Sequence, residues 1–78
     1  MKTITVYGPG CVKCQKTEEI VKQAVQASGA QVTVVKVSDI QQMVAAGILS
    51  TPAVAVDGEV KLAGRIPRAE EVRAWIGV

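Results

Sequence analysis

Two β-branched runs flank one helix-period segment in the first half of this 78-residue chain, and that arrangement limits the folds open to it. Thr3-Ile4-Thr5-Val6-Tyr7 reads as a strand. Gly8-Pro9-Gly10 is a turn with no helix preference. The spacing then predicts a helix from Cys11 to Ser28, with Val12, Ile20, Val21, Ala24 and Val25 on one stripe. Gly29 is a natural C-cap. Gln31 to Val37 reads as a second strand, apolar on both faces through Val32, Val34, Val35 and Val37, as a covered parallel strand would be. A helix that crosses between two parallel strands makes a βαβ unit, normally right-handed.

The second half adds a hairpin and two more helices. Ser38 and Gln41 form a capping-box pattern, with Asp39 favouring the same helix end, and Ile40, Met43 and Val44 give that helix its buried stripe. Gly47 ends it. After Pro52, the runs Ala53–Val56 and Glu59–Ala63 enclose Asp57-Gly58, a strong signal for a type I′ hairpin turn. Pro67 suits a first helical turn, and Ala69, Val72, Trp75 and Ile76 recur every three or four residues. Glu70 and Glu71 fall where the helix dipole favours acids. The predicted order is β-α-β-α-β-β-α, an α/β class. Residues 1–78 read as one small domain, with no linker, repeat or low-complexity tract.

Composition removes several kinds of chemistry. The chain has no His, which excludes histidine acid–base catalysis, Cys-His nucleophiles and Cys₂His₂ zinc sites. Net charge is +2 with both signs mixed, so nucleic acid is not an expected partner. No apolar run reaches the roughly 20 residues of a membrane span, and no membrane partner is expected. No A-x-A-like site follows the first strand, so no signal peptide is expected, and a cytoplasmic location is. With no Phe, one Tyr and one Trp, aliphatic side chains must fill the core. Met43 and Trp75 read as packing residues, and Arg65 and Arg68 as a solvated rim.

Cys11 and Cys14 are the only cysteines, and they lie at the predicted helix start. Two thiols in C-x-x-C can pair as a disulfide or share a metal ion. The partial positive charge of a helix N-terminus favours the reactive thiolate. As a mere staple the pair would do little, because closing a four-residue loop gives only about 2 kcal/mol in the chain-entropy model. Lys13 and Lys16 could assist thiolate formation, although Lys heads usually remain in water. A soft-metal carrier for copper or a metalloid is the alternative, since thiolates favour soft metals. Copper and zinc chaperone domains also place C-x-x-C between a first strand and a helix. Their order is βαββαβ, and they usually carry Met where this chain has Pro9. A phosphate loop is a weaker rival: Gly10-x-x-x-x-Gln15-Lys16-Thr17 lacks the second glycine.

A strand leading into C-x-x-C at a helix start, followed by Thr51-Pro52 before a β-hairpin and a terminal helix, resembles the thioredoxin/glutaredoxin superfamily. The match covers nearly the whole chain, at the length of the minimal forms typical of archaea and some bacteria. The resemblance implies a thioredoxin-like fold, a four-stranded mixed sheet with helices on both faces. It implies a thiol–disulfide oxidoreductase that reduces protein disulfides without a cofactor. Cys11 would then be the nucleophile and Cys14 the resolving thiol. Pro52 would follow a cis peptide bond, and the Thr51 backbone would pair with substrate. Implied partners are disulfide-containing client proteins and a thioredoxin-reductase-like donor, and a monomer is expected. Two departures stand out. Thioredoxins bury an acid on the strand before the motif, where this chain has Thr3 and Thr5. Glutaredoxins hold glutathione with Gly-Gly and paired aspartates after the hairpin, where this chain has Gly64-Arg65-Ile66-Pro67-Arg68, and glutathione use stays open.

Overall fold

The computed structural model describes residues 2–10, 12–29 and 31–77. Its order is β1 (Lys2–Tyr7), α1 (Val12–Ser28), β2 (Val32–Val37), α2 (Ile40–Ala45), β3 (Ala53–Val56), β4 (Glu59–Ala63) and α3 (Ala69–Ile76). The strands form one four-stranded sheet in the order β2-β1-β3-β4. β1 runs parallel to β2 and antiparallel to β3, and β3 runs antiparallel to β4, so the sheet is mixed. This is the thioredoxin-like α/β fold.

Strand alternation sorts the sheet into two faces. Ile4 and Val6 of β1 pair with Val56 and Val54 of β3, and all four side chains meet Val21 and Ala24 of α1 and Val72 and Ile76 of α3. That is the main core. Tyr7 and Ala53 point to the opposite face, where Met43 of α2 and Ile48 close a smaller cluster.

Several local expectations need correction. β2 is not covered on both faces. It is an edge strand: Val32 and Val34 pack on the main core while Val35 is 38% exposed. α2 is capped by Asp39 rather than Ser38, its carboxylate accepting the Gln41 N–H at 2.8 Å. Only Met43 of α2 is buried, and Ile40 and Val44 are two-thirds exposed at 67% and 65%. A helix of six residues turns too few side chains toward the sheet to bury all three. Val12 also leaves its expected stripe for solvent, whereas Cys14 and Thr17 take the buried positions of α1. Pro67 lies before the N-cap Arg68 and not within the first turn of α3.

The hairpin follows the Asp-Gly signal. Asp57 and Gly58 have φ of 51° and 85°, both left-handed as a type I′ turn requires. The turn is also clipped to β1, because Asp57 N–H donates to the Thr3 carbonyl at 2.8 Å and its carboxylate accepts the Thr3 N–H at 2.9 Å. A register shift between Val54 and Ala55 twists the pairing with β4. At the same end of β1, Lys2 Nζ donates to the Trp75 and Ile76 carbonyls at 2.7 and 3.2 Å. A cation thus satisfies carbonyls that the end of α3 leaves open.

Arg65 is not simply a solvated rim. Its two terminal nitrogens donate to both oxygens of Glu71 at 2.9 and 2.8 Å, and one of those oxygens also accepts the Arg68 backbone N–H at 3.0 Å. The Arg65 fork first, and the Arg68 N–H second, pull the Glu71 carboxyl down from 4.5 to about 2. A depressed carboxyl favours the folded state above its ordinary value, and the benefit fades as pH falls from about 4.5 toward 2. Glu71→Gln should therefore lower the melting temperature modestly at pH 7, since water screens an exposed pair. The gap between variant and parent should shrink steadily through that acid window in pH-resolved thermal melts. A gap independent of pH would refute this role for the ionised carboxylate.

Candidate active site

β1 ends at Tyr7 and delivers the chain into a tight loop. Gly8 N–H donates to the Val37 carbonyl at 2.9 Å, which carries the β1–β2 ladder one residue beyond the strand. Gly10 has φ of 94°, a left-handed position that glycine occupies without strain. Its carbonyl accepts from Gln15 Nε2 at 3.4 Å. Cys11 follows and lies outside the described residues. α1 opens with Val12 and Lys13 exposed and Cys14 fully buried in the first turn. Lys16 is likewise exposed, so neither lysine is buried beside the motif.

One turn beyond Cys14, Thr17 is also fully buried, and its hydroxyl donates to the Lys13 carbonyl at 2.9 Å. The hydroxyl is turned into the helix and fully buried, which speaks against the phosphate-loop reading. The described order, with a β3–β4 hairpin leading to α3, also differs from the βαββαβ order of metal chaperones.

The Thr51–Pro52 peptide bond is cis. Thr51 is exposed and Pro52 is buried. The Pro52 carbonyl accepts the Gly64 N–H at 2.9 Å, fixing this loop to the end of β4. Among the described residues, no hydrogen bond engages the Thr51 backbone. A hollow of about 320 Å³ brings the two loops together, with Pro9 on one side, Thr51 on another, and Ile40, Met43, Val44, Ile48 and Leu49 as an apolar wall. Leu49 is 95% exposed. Larger hollows, of about 370 and 470 Å³, are lined almost wholly by charged and amide side chains.

Strand, motif loop, helix start and Thr51-Pro52 loop match one family along nearly the full chain. The family model described as thioredoxin domain matches residues 2–77. The chain belongs to the thioredoxin family. It is 37% identical over 73 residues to a thioredoxin of Methanothermobacter thermautotrophicus, covering 94% of this chain and 95% of that protein. It is 40% identical over 73 residues to a thioredoxin of Methanocaldococcus jannaschii, covering 94% and 84% respectively. Thioredoxin-family proteins are thiol–disulfide oxidoreductases, and this chain is placed in that class. Among the described residues, no helix of this thioredoxin-family chain is long and apolar enough to cross a membrane.

Two features of the site were not read from sequence. The exposed apolar wall was hidden because Ile40 and Val44 carry a helical core pattern, and only the shortness of α2 leaves them in water. Gly8 also lies so close to Cys14 that a Cβ on it would stand 2.8 Å from the Cys14 Cβ, and this had no signal beyond a glycine in a turn.

Proposed function

We propose that this chain reduces disulfides in client proteins through Cys11 and Cys14. The observation that carries the reading is the placement around the motif. Cys14 is buried in the first turn of α1, and the neighbouring hollow joins the motif loop to an exposed apolar wall and to Thr51, whose backbone groups are unengaged among the described residues. A client strand carrying a disulfide could pair with Thr51 and rest its apolar side chains on Ile40, Val44 and Leu49.

The chemistry is two exchanges. Cys11 thiolate attacks one sulfur of the client disulfide, forms a Cys11–client bond and expels the other client sulfur as a thiolate, which takes a proton from water. Cys14 then attacks the Cys11 sulfur, its thiol proton passing to the client sulfur that is displaced. The Cys11–Cys14 disulfide forms and the second client sulfur leaves. Two electrons pass from this chain to the client. A thioredoxin-reductase-like donor would return them, in the cytoplasm. β1 carries no carboxylate, so a buried acid on that strand is not part of this proton transfer.

Insulin reduction driven by dithiothreitol tests the proposal, with the chain expected to accelerate precipitation of the freed B chain. No acceleration would contradict it. Leu49→Asp should raise KM about tenfold with little change in kcat, the effect of losing roughly 1.4 kcal/mol of apolar contact. Because Leu49 is almost wholly exposed, the variant should fold normally.

A further inference from the structure

Gly8 and Cys14 occupy one another's space. A Cβ built on Gly8 would lie 2.8 Å from the Cys14 Cβ and closer still to its Sγ. Real Cβ atoms essentially never approach so near. The backbone φ is not the obstacle, since Gly8 lies outside the left-handed region that Gly10 and Gly58 occupy. Space alone requires glycine here.

Neither partner can withdraw cheaply. Gly8 is held to β2 by its N–H bond to the Val37 carbonyl. α1 is held to the sheet by Val21 and Ala24 in the main core, and Glu18 of α1 pairs with Lys36 of β2 at 3.2 Å. Two anchored elements thus close on the Cys14 side chain, which is fully buried.

We infer that Gly8 is a positioning residue for the exchange reaction, its missing side chain being what lets the Cys14 sulfur rest against the end of β1. The inference rests on the resolving role proposed for Cys14. A methyl at position 8 pushes the Cys14 Sγ toward another rotamer. Attack on a mixed disulfide needs the thiolate aligned with the bond it breaks, and a misplacement of about 1 Å can cost on the order of 100-fold in rate. Client attack by Cys11 does not use the Cys14 sulfur, so the two exchanges separate.

An aromatic disulfide with a coloured leaving thiolate, 5,5′-dithiobis(2-nitrobenzoate), reads both steps when mixed with an equal amount of reduced chain. The first thiolate appears on attack and the second on resolution. Gly8→Ala should leave the first phase unchanged and slow the second roughly 10- to 100-fold. Ile76→Val, at the opposite end of β1 beside Lys2, should lose stability while keeping both phases. The inference is overturned if folded Gly8→Ala resolves at the parent rate, or if Ile76→Val slows resolution equally. A parent chain with no second phase would sink the Cys14 role itself and this inference with it. A melting comparison covers a poorly folded variant. Gly8→Ala should cost less stability in a Cys14→Ala background, where the clashing sulfur is gone. Equal loss in both backgrounds, including failure of both to fold, would overturn the inference.

Discussion

Cys11→Ser should reduce insulin-disulfide turnover to the uncatalysed background, while Cys14→Ser should stop after a single exchange with each client. The first result follows from nucleophilicity. A serine hydroxyl holds its proton near neutral pH and cannot displace a sulfur from a disulfide, whereas a thiol at a helix start is readily ionised. The second follows from the division of labour. With Cys14 replaced, the Cys11–client bond still forms, and no thiol in the chain remains to break it. The product should be a covalent adduct of one chain and one client, seen by mass spectrometry under non-reducing conditions and lost on adding dithiothreitol. Serine is smaller than cysteine, so the buried site at position 14 accepts it without overpacking. Normal turnover by Cys14→Ser would show that external thiols resolve the adduct and that the second cysteine has another task.

Ile4→Ala should be the most damaging simple truncation among the strands. Ile4 is fully buried on β1, between β2 and β3, and packs within the cluster formed with α1 and α3. Cutting such a side chain to Ala costs about 2–5 kcal/mol, from lost transfer energy and the cavity left behind. A domain of this size has little in reserve against a typical total of about 5–15 kcal/mol. Each kcal/mol lowers the melting temperature by about 4–8 °C at this length. Val35→Ala offers the contrast. Val35 lies on the edge strand with its side chain partly in water, and its truncation should cost within about 1 kcal/mol. Urea titrations of both variants check this. Similar losses would mean that the α1/α3 face is not the main core.

Much of this architecture was legible because the signals were local. The β-branched first run, the long helix period and Asp57-Gly58 each specify backbone geometry within a few residues, and each element formed where its pattern lay. The edge position of β2 was not legible. Four valines in six positions describe a strand that tolerates burial on both faces, while strand order decides how much it receives. The α2 stripe misled for a similar reason: periodicity reports which side chains align, and helix length decides how many reach the sheet. Asp39 took the cap because its carboxylate reaches the Gln41 N–H, a choice between neighbouring residues that the motif could not make. Lys2 on the end of α3 and Arg65 on Glu71 join residues that only the tertiary fold brings together, the first pair 73 positions apart. At the candidate site, Cys11, Cys14, Thr51 and Pro52 could be singled out as residues. The apolar wall and the Gly8 contact could not, because both arise where separate elements meet.

The most direct test is a redox titration of the full chain in dithiothreitol or glutathione buffers, with free thiols alkylated and counted by mass spectrometry. Cys11 and Cys14 should lose their labels together in one two-electron transition, the oxidised-to-reduced ratio changing tenfold for about every 30 mV. Two thiols that stay labelled across the range, or that lose their labels independently, would contradict the account.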